Sequence, residues 1–157
     1  MPKETGFTKK EAYLKLASYC AYQERCESEV RTKLLAIGIR GYEIQELVDL
    51  LKEENFLNEG RFAKQFATGK FRVKKWGKMK ISQALMQKGV ADNYIHEGLE
   101  EIDEQEYLDT LYQLLVKKWD SLQEVDLYKK KGKAFNYAVS KGFEPHVIWE
   151  VINELVG

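Results

Sequence analysis

Three stretches of this sequence align on a glycine: KLLAIGIRGYEI (residues 33–44), ALMQKGVADNYI (residues 84–95) and YAVSKGFEPHVI (residues 137–148). The three glycines are spaced by 51 and 53 residues, and apolar residues follow each of them at four shared offsets. The four apolar columns are Ile39, Val90 and Phe143; Ile44, Ile95 and Ile148; Val48, Leu99 and Ile152; and Leu51, Ile102 and Leu155. Four columns kept in register across three copies indicate a repeated structural unit of about fifty residues.

The repeated unit has the pattern of two helices joined at the glycine. Glycine is typical of a helix C-terminus because it adopts the left-handed conformation without a steric clash at Cβ. The apolar offsets of 6, 10 and 13 residues after the glycine follow helical spacing, which predicts a second helix with one buried face. We expect Asp92 to cap that helix in the second copy and Pro145 to lie in its first turn in the third.

A further helix precedes each of these pairs. Thr8 and Glu11 form a capping-box pattern in the first copy, and Asn58 precedes the helix of the second copy. The third such helix covers about residues 104–119, with one apolar side made of Leu108, Leu111, Leu115 and Trp119. The prediction is an all-α protein of three tandem three-helix repeats, at residues 1–56, 57–103 and 104–157. Stacking of such units predicts an elongated, curved, monomeric helical array.

The composition agrees with a helix-rich protein and predicts no membrane partner. The chain has 157 residues, of which 44% are hydrophobic and 32% are charged, as expected of a soluble globular protein. No apolar run approaches the roughly 20 residues of a membrane span, and the opening MPKETGF has no apolar signal-peptide core. These features favour a cytoplasmic location.

The reactive residue types are few and scattered. Cys20 and Cys26 are six residues apart with no second pair, and His96 and His146 are isolated, so we expect no metal site. The two cysteines are interpreted as a buried thiol and a thiol at a helix edge. The sequence has no glycine-rich phosphate loop and no G-x-S-x-G or H-E-x-x-H motif. The prediction is a protein that is not an enzyme and needs no cofactor.

Charge is strongly polarised along a chain whose 25 basic and 25 acidic residues cancel. Residues 60–91 contain nine basic residues and no acid, whereas residues 92–116 contain eight acids and no Lys or Arg. The densest stretch is GKFRVKKWGKMK, residues 69–80. We expect a helix to begin near residues 76–78, where the helix dipole disfavours cations, so these lysines indicate an anionic partner.

The predicted partner-binding residues form two groups. The first is Lys70, Arg72, Lys74, Lys75, Trp76, Lys78 and Lys80; the second, which we expect to extend the same surface, is Lys129, Lys130 and Lys131. An exposed Phe71 or Trp76 would stack on a base or anchor a protein interface. The competing interpretation is that both aromatics belong to the core and that the lysines form a solvated face.

Residues 55–90, NFLNEGRFAKQFATGKFRVKKWGKMKISQALMQKGV, resemble the central motif of the RecX family. The matching elements are the turn Leu57-Asn58, the helix start Arg61-Phe62-Ala63, Gly77 in the basic stretch, and the helix end from Leu85 to Gly89. Residues 29–39, EVRTKLLAIGI, are similar to the family as well. One departure is Cys26, which stands where the family commonly has a capping serine, so we expect that helix to begin at Ser28.

The resemblance implies a cytoplasmic modulator of the RecA recombinase with three helical repeats and no catalytic residues. It implies binding to the RecA–DNA filament, typically blocking filament extension or filament activities. Two alternatives from other classes stay open: a stand-alone helical module that binds single- or double-stranded DNA, and a helical-repeat scaffold with an apolar concave groove. Whether the basic run contacts DNA, the recombinase or both is left open by the sequence.

Overall fold

The computed structural model describes residues 6–157, and every regular element in this part of the chain is helical. The nine α-helices are α1 (Lys9–Tyr22), α2 (Glu27–Ala36), α3 (Tyr42–Glu53), α4 (Glu59–Gly69), α5 (Lys78–Gln87), α6 (Asp92–Glu100), α7 (Glu104–Ser121), α8 (Leu127–Ser140) and α9 (Pro145–Val156). A π-helical turn, Lys70–Lys74, continues α4. The first five residues of the predicted repeat 1, where we expect a short N-terminal tail, lie outside the described part.

The helices group three by three, because α1–α3, α4–α6 and α7–α9 each contain three mutually contacting helices. We call these groups repeats 1, 2 and 3. The predicted all-α array of three-helix repeats is therefore confirmed. Its accessible surface of 9601 Å² exceeds the roughly 8,100 Å² expected of a compact monomer of 18.3 kDa, as in an elongated array. The predicted boundaries after residues 56 and 103 stay predictions.

The repeat glycines end the second helix of each unit. Gly38, Gly89 and Gly142 have φ of 92°, 79° and 96°, in the left-handed region. In each repeat the N–H of the next residue donates to the carbonyl five positions earlier: Ile39 to Leu34 (3.0 Å), Val90 to Leu85 (3.1 Å) and Phe143 to Ala138 (3.2 Å). This is the hydrogen-bond pattern of a glycine C-cap, so the predicted role of the three glycines is confirmed.

Three helix starts, those of α1, α4 and α9, follow the patterns predicted for them. The N–H of Glu11 donates to Thr8 Oγ1 (3.0 Å) and the N–H of Thr8 donates to Glu11 Oε1 (2.7 Å), which completes the capping box of α1. Asn58 caps α4 by accepting the N–H of Arg61 at 2.8 Å. Pro145 occupies the first position of α9.

Two local predictions are wrong. The N-cap residue of α6 is Ala91, and Asp92 is the first helical residue. The Asp92 carboxylate interacts favourably with the helix dipole but is not in the capping position. Helix α2 begins at Glu27 rather than at Ser28, because the Glu29 side chain accepts the N–H of Cys26 at 3.0 Å and closes the first turn one residue earlier.

Buried side chains form two hydrophobic clusters. One consists of residues of repeat 1, and the other is shared by repeats 2 and 3 and also includes Cys26. Cys20 and Cys26 are both buried free thiols. Burial raises the pKa of Cys20 to about 11, so this thiol stays protonated at neutral pH. No helix within residues 6–157 has the length and apolar character needed to cross a membrane.

Candidate partner-binding face

The basic run forms a turn between two helices of repeat 2. Helix α4 continues into the π turn Lys70–Lys74 and ends at Lys75, which has φ 57° and ψ 41°. This left-handed conformation costs a non-glycine residue about 1 kcal/mol. The N–H groups of Lys75 and Trp76 both donate to the carbonyl of Lys70, which closes the turn. The turn leaves residues 72–75 exposed.

Helix α5 begins at Lys78, within the range that the sequence predicts, and its N-terminus docks on repeat 3. Three of its first N–H groups are bonded there: Gly77 to the Lys141 carbonyl (2.8 Å), Lys78 to the Tyr107 hydroxyl (2.9 Å) and Met79 to the Gly142 carbonyl (2.9 Å). The positive end of α5 thus meets the carbonyls at the negative end of α8. Since these N–H groups are already bonded, an anion bound near the start of α5 would have to be bound by lysine side chains.

This docking requires glycine on both sides. A Cβ added to Gly77 would lie 2.3 Å from the carbonyl carbon of Gly142 and 2.3 Å from the nitrogen of Phe143. A Cβ added to Gly142 would lie 2.2 Å from the Cβ of Lys80. Gly142 therefore has a second role, close approach to repeat 2, beyond the C-cap predicted for it.

Tyr107 of α7 lies at the centre of the same junction. Its hydroxyl accepts the N–H of Lys78 and donates to Glu144, and its ring contacts Phe71 and Phe143 at centroid distances of 5.6 and 5.1 Å. Burial, followed by the Glu144 contact, raises the pKa of Tyr107 far above its usual value. The sequence analysis missed this residue, although Tyr107 lies four residues, about one helical turn, before the predicted core residue Leu111.

Part of the basic run is neutralised by the acidic block that follows it. Lys78 Nζ lies 3.3 Å from Glu104 Oε2 and 4.7 Å from the centre of the Tyr107 ring, and only 23% of its side chain is exposed. Arg72 Nε lies 3.4 Å from Glu106 Oε1, with most of the guanidinium side chain exposed. Lys78 is therefore committed to the junction with repeat 3, whereas Arg72 stays accessible.

The two aromatic residues of the run have different environments. Phe71 is 2% exposed and belongs to the core, so the interpretation of Phe71 as an exposed stacking residue is wrong. Its position in the π turn points its ring at Tyr107. Trp76 is half-buried against the core, and the Nζ atoms of Lys70 and Lys80 lie 5.1 and 4.7 Å from its ring centre. These distances are those of cation–π contacts.

Lys74 and Lys75 are the exposed cations at the tip of the turn. Within residues 6–157 neither of them forms an ion pair. Lys141, which the sequence analysis missed, donates from Nζ to the Lys74 carbonyl at 3.2 Å and adds a third cation beside them. Its sequence signal is its place directly before the repeat glycine Gly142. We call residues 70–80 together with Lys141 the basic face.

The second predicted group lies elsewhere. Lys129, Lys130 and Lys131 are the third to fifth residues of α8, and Asp126 caps this helix by accepting the N–H of Lys129 at 3.1 Å. Lys130 Nζ lies 4.4 Å from the centre of the Trp119 ring. Lys141, directly after α8, lies twelve positions after Lys129, which corresponds to a helical rise of about 18 Å. The structure therefore places the two predicted groups at opposite ends of α8.

Comparisons with known proteins agree with the three-helix architecture. The RecX second three-helix domain matches residues 58–99, and the RecX third three-helix domain matches residues 104–152. Together these matches cover more than half of the chain. The crystal structure of RecX from Lactobacillus salivarius superposes with a TM-score of 0.85 at 23% identity, over 94% of this chain and 96% of that one. This likeness shows the fold.

Sequence relatives carry the same family name. The regulatory protein RecX of Clostridium beijerinckii is 32% identical over 134 residues, and that of Clostridium botulinum is 35% identical over 137 residues. Each alignment covers 84% of this chain and 62% of the relative, so the chain spans about three fifths of the length of these proteins. On the two domain matches and these relatives, the chain belongs to the RecX family of regulatory proteins.

Proposed function

We propose that this chain binds the RecA–DNA filament through the basic face and lowers the activities of the filament. The observation that carries the proposal is the pair Lys74 and Lys75, exposed and without ion pairs in the described residues, in a chain whose 25 basic and 25 acidic residues cancel overall. The recombinase as partner comes from the resemblance of residues 55–90 to the RecX family motif. The relatives are named regulatory proteins, which favours action by binding rather than by catalysis.

Neither the helix start of α5 nor the hydrophobic cluster nearby needs the side chains of Lys74 and Lys75. The first N–H groups of α5 are bonded to repeat 3, and the hydrophobic cluster nearby is filled by Phe71 and Tyr107. Neighbouring like charges repel each other, so an exposed lysine cluster reduces stability unless it meets an anion. Phosphates of DNA and carboxylates of a protein both supply such an anion. A protein bound to these phosphates or carboxylates of the filament blocks them for other binding partners, which would lower the activities of the filament.

The test reverses the two free lysines together, as Lys74→Glu with Lys75→Glu. Lys78 stays unchanged, because its contacts with Glu104 and Tyr107 belong to the junction with repeat 3. The matched control is Lys10→Glu with Lys117→Glu, which changes the net charge equally at two exposed lysines. Circular dichroism checks that both variants are folded.

The measurement is recombinase ATP hydrolysis and strand exchange on single-stranded DNA with increasing amounts of each protein. We expect the unchanged protein and the control to inhibit alike. The double reversal should need at least about tenfold more protein, equivalent to about 1.4 kcal/mol of lost binding. Inhibition by the folded double reversal at the original concentration would contradict the proposal.

The two other function classes give different outcomes in the same assays. A stand-alone nucleic-acid-binding module would retard single- or double-stranded DNA without recombinase, with an affinity that falls steeply with salt. A scaffold would bind neither DNA nor the filament. The proposal also includes action as a monomer in the cytoplasm, and sedimentation of the free protein tests the first of these properties.

A further inference from the structure

An apolar groove lies directly beside the basic face. It has a volume of about 760 Å³ and runs between α5 and the C-terminal end of α8. Its walls include Met79 and Met86 from α5, Val139 and Phe143 from repeat 3, and Leu99 from α6. Met79, Met86 and Val139 are 53%, 59% and 42% exposed, so these side chains are available to a partner.

The exposed methionines form a second apolar side on α5. The helix packs on its own core through Ile81 and Leu85, which are fully buried. Met79, Ser82 and Met86 follow the spacing i, i+3 and i+7, and all three line the groove. Within residues 6–157 this side of α5 does not pack into the core, although it carries two methionines. Methionine is an adaptable side chain and is frequent on surfaces that receive apolar partners.

We infer that this groove docks an amphipathic helix of the protein partner; the inference rests on the proposed function, which makes that partner a recombinase subunit of the filament. Met79 and Met86 are seven residues apart, a rise of about 10.5 Å, which equals two helical turns. A helix with apolar residues at positions i, i+3 or i+4, and i+7 fits a groove of that length.

The groove chemistry disfavours other occupants. Strand addition needs an exposed sheet edge, and residues 6–157 contain no strand. Nucleobases and proline-rich segments bind on exposed aromatic faces, whereas the aromatic ring of this groove, Phe143, is fully buried. The exposed large apolar side chains of the lining are Met79, Met86 and Val139, which suit the apolar side chains of a helix.

The charge around the groove indicates the character of the docked helix. Lys80 lines the end of the groove at the start of α5, together with Lys78, whose charge is paired with Glu104. The exposed Lys74 and Lys75 precede this helix start in the chain by a few residues. Glu144, the carboxylate that lines the groove, accepts the hydroxyl of Tyr107. A helix with acidic residues beside its apolar anchors therefore complements this end of the groove. The free lysines then meet carboxylates of the recombinase in addition to, or in place of, phosphates.

The experiment compares three variants for affinity to the recombinase filament at low and moderate salt. The groove variant is Met79→Gln with Met86→Gln, and its matched control is Leu14→Gln with Leu35→Gln, two exposed leucines of repeat 1. The third protein is the lysine double reversal. We expect the groove variant to lose about tenfold in affinity at both salt concentrations, because the lost contacts are apolar and are not screened. The lysine reversal should lose affinity and also flatten the salt dependence, and the control should bind as the unchanged protein does.

A photo-crosslinking amino acid placed at Met86 identifies what lies in the groove. The expected product joins this chain to the recombinase subunit, and the same probe at Leu14 should give none. A crosslink from Met86 to the DNA strand overturns the inference. A groove variant that binds as well as the unchanged protein also overturns it, while the lysine reversal then still tests the proposed function. Absence of filament binding by the unchanged protein overturns both.

Discussion

Repeat 2 is joined to its two neighbours by different chemistry. Its junction with repeat 1 is made of charged contacts: Arg61 Nε to Glu24 Oε2 (2.7 Å), Glu59 Oε1 to the N–H of Glu27 (2.7 Å) and Lys88 Nζ to Glu29 Oε2 (3.2 Å). Its junction with repeat 3 also has two ion pairs, Lys78 with Glu104 and Arg72 with Glu106. It adds backbone hydrogen bonds from the start of α5, a glycine–glycine contact and the buried Tyr107. The hydrophobic clusters divide along similar lines: repeats 2 and 3 share one, to which repeat 1 contributes Cys26, and the other consists of repeat 1 residues and Leu57.

The two junctions differ in how readily the repeats can change their relative angle. Partly exposed ion pairs are screened by salt and stabilise by little each, so we expect the angle between repeats 1 and 2 to change more readily than the angle between repeats 2 and 3. Backbone contacts between glycines have no flexible atoms, so the junction between repeats 2 and 3 holds a single arrangement. The basic face and the apolar groove both lie at this second junction. A rigid base keeps the lysines and the groove at a constant distance from each other.

The largest effect is expected from the repeat glycines, compared at equivalent positions. Gly89→Ala should cost about 1 kcal/mol of unfolding free energy, because φ is 79° and no atom lies within 4 Å of the added Cβ. Gly142→Ala should cost at least about 3 kcal/mol, because the added Cβ also meets Lys80 at 2.2 Å. Urea unfolding measures both values.

Gly69→Ala in α4 is the control for this pair. Its φ is −65° and nothing lies within 4 Å, so the change should be neutral or slightly stabilising. Equal losses for Gly89→Ala and Gly142→Ala would show that repeats 2 and 3 do not meet at Gly142.

An intermediate effect is expected from the two polar side chains that organise the junctions. Arg61→Met removes the guanidinium contacts with Glu24 (2.7 Å) and with Asn55 Oδ1 (3.0 Å), at a cost of about 2 kcal/mol at low salt. Tyr107→Phe removes the acceptor of the Lys78 N–H, at a cost of about 1 kcal/mol. Repeating urea titrations at about 0.05 and 1 M salt should shrink the first loss and leave the second unchanged.

The control for the second change is Tyr112→Phe, at an exposed tyrosine of the same helix, which should be silent. If the losses from Arg61→Met and Tyr107→Phe depend equally on salt, the contrast between a junction held by side-chain ion pairs and one held by backbone contacts does not hold.

The smallest effect concerns pH at the junction between repeats 1 and 2. Burial raises the pKa of Glu59 above its usual value, so the ionised group reduces stability once pH rises above its folded pKa. Glu59→Gln keeps an acceptor oxygen for the N–H of Glu27 and removes the charge. It should raise the melting temperature by about 1–2 °C at pH 7 and by nothing below about pH 4, where the unfolded carboxyl is protonated as well.

Glu27 provides the opposite sign in the same junction. Burial alone would raise its pKa, but hydrogen bonds from Lys52 and Arg31 lower it below the usual value. Its contribution to stability is therefore present above the unfolded pKa and is lost as pH falls through the folded pKa. Glu27→Gln should lower the melting temperature at pH 7 and have less effect in acid. A decrease at pH 7 for Glu59→Gln as well would show that its attraction to Lys52 outweighs its burial.

Much of the fold follows from local features of the sequence. The left-handed glycines, the capping box of Thr8 and Glu11, and the cap at Asn58 each involve residues within a few positions of one another. The apolar columns then place one buried face on each helix. The helix start at Glu27 was missed because the deciding acceptor, Glu29, competes with the serine that the sequence also offers there.

The sequence analysis placed the candidate site in the basic run but did not predict which lysines are free or that a groove lies beside them. The charge count of residues 60–91 marks the basic run, and Lys74 and Lys75 are exposed in the structure. The sequence analysis did not separate them from Lys78, whose partner Glu104 is 26 residues away. It also missed the apolar groove, because Met79 and Met86 lie on α5 whereas Val139 belongs to another repeat.

The number of repeats, their helical nature and the region of excess positive charge follow from the chain alone, because periodicity, glycine conformation and charge are properties of neighbouring residues. The packing of the repeats against each other sets which cations are free, why Gly77 and Gly142 must both lack a side chain, and where an apolar groove remains open. These features depend on pairs such as Gly77 with Lys141 and Lys74 with Lys141, the latter 67 residues apart. Contacts of that range are set by how the repeats stack, and no local pattern in the chain encodes them.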